Sequence, residues 1–277
     1  MNYSITDICS PHKSLKISLC LEPTKVPYFT SLQIRAGRDT LFTRVYSHYS
    51  CIKDFLEILR LPNVRIELLD IGGVEIDQNH FLTQLIKKLQ EGNLRIPAET
   101  IHFHSTITEG LVEKHLELLT HFNPLVLYGI ELNTKVSAEI HKELVTLEQW
   151  KQAKKVTYMS MKECKDVVRM EDFVHFEKIF WVDFTRKMEA EECWQMIKAF
   201  RHHDHPRGSY FHISDTEIEI NGAIALFDIS SKCEERDTEY VKHIQHFPLD
   251  DGVVLEVRLY EDQIIGKKEV KEKLGEM

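Results

Sequence analysis

The apolar positions of this chain switch repeatedly between the two-residue spacing of a strand and the spacing of a helix. Leu147 and Trp150 lie one turn apart and mark the end of a helix. The run 156–160 then alternates as a strand, a connection with room for only a short helix follows, and 180–184 alternates as a second strand. The pattern predicts that a helix is followed directly by a strand, and that this arrangement occurs twice in succession.

The same alternation extends in both directions from this stretch. Strands are predicted at 64–69, 100–104, 125–132 and 210–213, and the helices between them show apolar faces at 81–89, 111–122 and 136–150. The spacing between predicted core-facing residues of successive strands is roughly 24 to 35 residues, as in strand-helix repeats. These residues are Ile66, Ile101, Leu127, Val156, Phe180 and Phe211. We therefore predict an α/β fold, a leucine-rich-repeat-like solenoid with a curved, mainly parallel sheet.

The N-terminal part has a different pattern of predicted elements. Strands are predicted at 15–21, 29–34 and 41–46 without helices between them, and Ser50 is the expected N-cap of the helix that follows. This indicates an antiparallel N-terminal cap at residues 1–62, continuous with a repeat region at 63–277. Near the C-terminus we predict a helix through 240–244 and a last strand at 253–259.

Composition and charge narrow the classes of function. The chain is 43% hydrophobic and 29% charged, with a net charge of -9, which opposes attraction to phosphate and disfavours nucleic acid as a partner. No apolar run approaches the ~20 residues needed to cross a bilayer, so no membrane association is predicted. Six dispersed cysteines without a CxxC pair favour reduced thiols and a cytoplasmic or nuclear location.

Candidate chemistry is sparse. His202, His203 and His205 share one short segment with Asp204, and imidazoles and carboxylates are ligands for zinc or nickel. Histidines after a helix also interact favourably with its dipole, so both interpretations stay open. Gly72-Gly73 lacks the further residues of a phosphate loop and is interpreted as a turn. No catalytic motif is recognised, so neither an enzyme nor a cofactor is expected.

The alternation of apolar and polar residues along the strands also predicts which side chains point away from the core. If the strands turn Ile66, Val156 and Phe180 toward the helices, the opposite face carries the candidate partner-binding residues Met159, Trp181, Tyr210, Thr157, Asp183, His212, His102 and His104. Aromatic and methionine side chains flanked by charges are typical of interaction hot spots. Coverage by terminal segments would instead make Trp181 a core residue. His102 and His104 could also form half of a metal site, although an exposed polar face is the simpler interpretation.

The phrase LEQWKQAKKVTYMSM, followed by HFEKIFWVDF and the helix EAEECWQMIKAF, resembles the FTH domain, the F-box-associated domain of nematode F-box proteins. The resemblance covers about 64–214. In that family an F-box binds the Skp adaptor of a cullin ubiquitin ligase, and the FTH region is presumed to recognise the partner. No F-box precedes the first strands here, so the Skp adaptor is expected only if an F-box is supplied.

The resemblance therefore implies a protein-interaction module like the substrate-recognition part of an SCF-type ubiquitin ligase protein, with a protein partner of unknown identity. The alternative is a metal-binding protein or a metal-dependent enzyme that uses the His202, His203 and His205 segment.

Overall fold

The structure, a computed structural model, describes residues 9, 14–21, 29–73, 75–105, 113–160, 167–183, 188–202, 205–214, 218–227, 232–234 and 241–270. The chain forms two compact units, Met1–Ala153 and Lys154–Met277. Each unit combines strands and helices, so the mixed α/β class is confirmed. The predicted domain boundary after residue 62 stays a prediction. Within the described ranges, no helix has the length and apolar character that a membrane crossing requires.

The first unit pairs parallel strands with an antiparallel group of strands. Its elements are β1 (Leu15–Leu21), β2 (Phe29–Ala36), β3 (Asp39–Ser47), α1 (His48–Leu59), β4 (Ile66–Gly73), α2 (Glu75–Glu91), β5 (Ala98–Ser105), α3 (Glu113–Leu119), β6 (Gly129–Val136), α4 (Ala138–Leu144) and α5 (Glu148–Gln152). The strand order is β6-β5-β4-β1-β2-β3. β1, β4, β5 and β6 run parallel, whereas β2 and β3 are antiparallel, as predicted for the N-terminal strands.

The second unit begins with parallel strands and continues as an antiparallel meander. Its elements are β7 (Lys155–Ser160), β8 (Lys178–Asp183), α6 (Ala190–His202), β9 (Tyr210–Ser214), α7 (Ile220–Ala225), β10 (Lys232–Glu234), β11 (His243–Pro248), β12 (Val253–Leu259) and β13 (Gln263–Val270). The strand order is β10-β11-β12-β13-β9-β8-β7. β7, β8 and β9 are parallel, and β13 joins β9 antiparallel. Two short 3-10 turns, Met170–Asp172 and Asp250–Gly252, complete the unit.

The meander corrects the predicted C-terminal helix. Residues 241–244 of that segment are not helical and lead into strand β11, in which His243, Gln245 and Phe247 are buried and Ile244 is half-buried. Two of the three inward residues are polar, so the two-residue apolar spacing of a strand is hidden in the sequence. β13 was missed, because two lysines and a glutamate interrupt its apolar run: Lys267 and Glu269 are exposed, whereas Lys268 is buried.

Three further element boundaries differ from the prediction. Ser47, rather than Ser50, caps α1, because its side chain accepts a hydrogen bond from the Ser50 N–H. The helix predicted over 136–150 is two helices, α4 and α5: Ser137 caps the start of α4, whereas no side-chain hydrogen bond caps the start of α5. The strand before α4 starts at Gly129 instead of Leu125, whose side chain is 87% exposed.

The core is formed by the inward side chains of the strands and the apolar helix faces. Ile66, Ile101, Val156 and Phe211 are fully buried, as the alternation predicted. Burial of each such side chain stabilises the fold by roughly 1.5–3 kcal/mol. Trp150, on the last helix of the first unit, is also buried. The register of the sheets is therefore fixed by these residues, which in turn determines the outward face.

Candidate functional site

The parallel strands of the second unit hold the predicted partner-binding residues other than His102 and His104. Thr157 and Met159 on β7 and Tyr210 and His212 on β9 are half-buried, and they alternate with the buried residues Val156, Tyr158, Phe211 and Ile213. Trp181 pairs in register with Thr157, and Asp183 pairs with Met159. The side chains of Trp181 and Asp183 lie outside the described residues.

Phe180 is the main correction on these strands. The pairing of β7 with β8 runs from Val156 opposite Ile179 directly to Thr157 opposite Trp181, so Phe180 is an extra residue in β8. The pairing of β8 with β9 shows the same irregularity. This β-bulge lets Ile179, which is 0% exposed, occupy the core position that alternation assigned to Phe180, which is 45% exposed.

The bulge places Phe180 among aromatic and basic groups. Its ring centroid lies 6.0 Å from that of Tyr210, and Lys155 Nζ lies 4.7 Å from it, within the range of a cation–π interaction. The Tyr210 ring lies in turn 6.4 Å from His212 in an edge-to-face arrangement. We call Lys155, Phe180, Tyr210 and His212 the aromatic face.

A hydrogen bond holds His212 at one end of the aromatic face, and partial burial affects the pKa of His212 and of Tyr210. His212 Nε2 lies 2.8 Å from Gln263 Oε1 on β13, and it donates because an amide oxygen only accepts. Burial lowers the pKa of His212, although the Gln263 hydrogen bond opposes this. Burial also raises the pKa of Tyr210. Both rings are therefore uncharged near neutral pH, and Lys155 supplies the charge of the aromatic face.

Two of the three histidines of the proposed metal segment, His202 and His205, lie in the described part of the chain. His202 ends α6 and is exposed. The His205 ring packs 4.7 Å from Phe200, and its Nε2 lies 3.1 Å from the Val174 carbonyl oxygen. His203 and Asp204 lie outside the described residues. His205 thus packs within its own unit, and the ligand role of this segment stays a prediction.

His102 and His104 lie in the first unit, where β4 adds a residue that the sequence did not single out. Nδ1 of His102 and Nδ1 of His104 each lie 2.9 Å from Oδ1 of Asp70. Ser18 on β1 donates to Oδ2 of the same carboxylate at 2.8 Å, and Asn133 Nδ2 on β6 lies 2.8 Å from His102 Nε2. We call Ser18, Asp70, His102, His104 and Asn133 the Asp70 cluster.

The Asp70 carboxylate is stabilised in its ionised form. Burial opposes ionisation, but hydrogen bonds from His102, His104 and Ser18 outweigh it and hold the pKa of Asp70 well below its usual range. The side chains of Asp70, His102 and His104 are 20%, 21% and 29% exposed. A signal existed in the sequence, since Asp70 and the two histidines are polar outward positions of neighbouring strands. To recognise this signal, one must know the register of β4 against β5, which the sequence does not supply.

Gly72 makes room for this cluster. It pairs with His104 across β4 and β5, and a Cβ atom at Gly72 would lie 2.0 Å from His104 Nε2. The sequence interpretation of Gly72-Gly73 as a turn is therefore corrected: both residues belong to β4.

Comparison with known proteins identifies one family. The model of the FTH domain matches residues 79–229, more than half of the chain. The matched region includes β5, which carries His102. It also includes β7, β8 and β9, which carry the aromatic face. No curated protein matches, and no solved structure matches. The chain belongs to the FTH domain family.

Proposed function

We propose that this chain is a protein-interaction module that recognises its partner through the aromatic face, in the manner of the substrate-recognition part of an F-box protein. The observation that carries the proposal is the outward position of Phe180 in the β8 bulge. A half-exposed phenylalanine beside Tyr210 costs solvation free energy in the isolated protein. A partner that covers both rings would recover it, as in interface hot spots.

The partner has a definite chemistry. Lys178 pairs in register with Lys155 and with Tyr210, and Lys267 on β13 pairs with Tyr210 from the other side. Three lysines thus surround two aromatic rings on a chain whose net charge is -9. Lys267 also forms an ion pair with Glu269. The surface therefore suits a protein segment that presents an apolar side chain between acidic residues.

The family supports the same class of function. FTH domains are F-box-associated, so recruitment of the partner to an SCF-type ubiquitin ligase is the proposed outcome, with the Skp adaptor engaged only where an F-box is supplied. A cytoplasmic or nuclear location and a curved, leucine-rich-repeat-like solenoid are parts of this proposal. The His202, His203 and His205 alternative is not favoured, because the His205 ring packs against Phe200 and its Nε2 lies 3.1 Å from the Val174 carbonyl oxygen.

The experiment is affinity purification of the tagged chain from cells of its own source, with quantitative identification of co-purifying proteins. The variants are the Phe180→Ala/Tyr210→Ala double variant and Lys155→Glu. The matched control is Tyr49→Ala, an aromatic side chain that is 72% exposed on α1 in the other unit.

The expected result is a partner retained by the wild type and by Tyr49→Ala but lost with both aromatic-face variants. Loss with Lys155→Glu would identify the acidic character of the partner. Retention by a double variant that keeps the wild-type circular dichroism spectrum would disprove this surface. Recovery of the Skp adaptor together with the partner would support ligase recruitment.

A further inference from the structure

The Asp70 cluster places three metal-ligand groups on one sheet face, in the unit that does not contain the aromatic face. Among the described residues, Asp70, His102 and His104 are the group of histidine and carboxylate side chains whose ligand atoms all lie within 4.8 Å of one another. Nothing in the proposed interaction role uses them. Two imidazoles and one carboxylate are also a recurring donor set for divalent metals.

We propose that Asp70, His102 and His104 bind a divalent first-row transition-metal ion, for which zinc is the representative. Two nitrogen donors and one oxygen donor suit zinc, cobalt, nickel or ferrous iron. Calcium and magnesium are disfavoured because they prefer oxygen ligands alone. Three protein ligands leave at least one coordination position for water or for a ligand atom from another molecule.

The two nitrogen–oxygen distances require only a small adjustment. Ligand atoms about 2.0–2.1 Å from a tetrahedral ion are about 3.3 Å apart. Each imidazole Nδ1 lies 2.9 Å from Asp70 Oδ1, so each nitrogen–oxygen separation must open by about 0.4 Å. Rotation of half-buried side chains supplies this displacement without movement of the strands.

The backbone holds the three ligands in place. Asp70 pairs directly with His102, and Gly72 pairs with His104, in a parallel ladder of β4 with β5. The missing side chain at Gly72 gives the His104 ring its position, since a Cβ there would lie 2.1 Å from His104 Cε1. The strand pairing thus pre-orders the ligands, which lowers the entropy lost on binding.

The outer contacts suit a metal site. Ser18 holds Oδ2 of Asp70, which orients Oδ1 toward the two imidazoles. In the metal-free protein both histidines donate Nδ1–H to Asp70, because an ionised carboxylate only accepts, and His102 Nε2 accepts from Asn133. Metal binding needs the other tautomer of each ring, with the proton on Nε2. Rotation of the Asn133 amide then presents its oxygen to His102 Nε2–H.

Charge also suits the ion. The ionised Asp70 supplies one negative charge, and Glu131 on β6 stands opposite His102 in register on the same face. A second carboxylate beside the site would neutralise the remaining charge of a divalent cation. The partial exposure of the three side chains leaves the site accessible from solvent.

The test is titration of the full chain with zinc chloride, by calorimetry, after purification without a histidine tag and treatment with a chelator. Cobalt(II) absorption in the visible range reports the coordination geometry. In ¹⁵N-labelled protein, imidazole nitrogen shifts follow the tautomers of His102 and His104. We expect one saturable zinc ion per chain and a change of both rings from Nδ1–H to Nε2–H.

Three variants separate a metal site from a purely structural network. Asp70→Asn removes the charged ligand with little change of shape, and Gly72→Ala displaces His104 while keeping all three ligands. Both are expected to weaken zinc binding by more than Asn133→Ala, for which roughly 10- to 100-fold is expected from loss of an outer contact. His202→Ala, in the other unit, is the matched control and should bind zinc as the wild type does.

Absence of saturable zinc binding by the wild type overturns the proposal, as does zinc binding that leaves the His102 and His104 shifts unchanged. Equal affinity of the wild type and Gly72→Ala also overturns it, as does loss of binding in His202→Ala. The tautomer measurement uses the wild-type chain, so the conclusion does not depend on the folding of any variant.

Discussion

Replacing Ile179 and Phe180 one at a time by alanine tests the bulge on which the aromatic face depends. Ile179 is 0% exposed and Phe180 is 45% exposed. Ile179→Ala removes buried methyl groups and leaves a cavity, so it is expected to lower the free energy of unfolding by roughly 2–5 kcal/mol. Phe180→Ala leaves no enclosed cavity, and since close to half of the ring already contacts water, a cost of about 1 kcal/mol is expected.

The measurement is urea unfolding followed by far-ultraviolet circular dichroism, with the slope m compared between variants. For an m of about 2 kcal/mol/M, a difference of about 2 kcal/mol separates the two midpoints by about 1 M. Tyr49→Ala, an exposed aromatic truncation, sets the baseline, with a change expected within about 0.5 kcal/mol. If simple alternation set the register of β8, Phe180 would be the core residue. A larger cost for Phe180→Ala than for Ile179→Ala would therefore refute the bulge.

Three other predictions use the same structure. Because the folded pKa of Asp70 is lowered, its stabilising effect is fully present above the unfolded pKa near ~3.9 and is lost as pH falls toward the folded pKa. Urea unfolding at several pH values should therefore show the advantage of wild type over Asp70→Asn shrinking below about pH 4, and a constant difference would contradict the assigned contacts. Gly266→Ala should lower the free energy of unfolding by roughly 1–3 kcal/mol, since its Cβ would lie 2.0 Å from the buried Phe211 ring; wild-type stability would show that the ring can move. Burial raises the pKa of Cys51 and of Cys193 to about 12, so mass spectrometry should find both alkylated only after denaturant is added, and labelling of the native chain at pH 8 would show that they are accessible.

The sequence predicted the parts of the fold in which apolar residues follow a regular period. Ile101 and Val156 were assigned correctly to the core, because simple alternation holds along β5 and along the start of β7. Alternation failed at Phe180, since a single extra residue in a strand leaves no local trace in the sequence. It also failed at β11, where His243 and Gln245 are buried polar residues and His243 Nε2 lies 3.2 Å from Gln245 Oε1.

In the candidate sites, too, some residues could be predicted from a single strand and others could not. Tyr210 and His212 were placed on the outward face from their own strand alone. Asp70 was not selected, although His102 and His104 were, because the three residues meet only through the pairing of β4 with β5. Chemistry that depends on two strands requires their register, and the register is a property of the folded sheet rather than of either segment.

The bulge in β8 has an evolutionary consequence. The ladder on either side of Phe180 is complete without it, because Ile179 and Val182 keep their pairings with both neighbouring strands. Substitution at position 180 is therefore expected to change the proposed recognition surface while the packing of the core stays the same. Deletion of that one residue would regularise the strand and remove the exposed ring from the proposed surface in a single step. If the proposed function holds, related chains are expected to differ in partner preference while they keep a common scaffold.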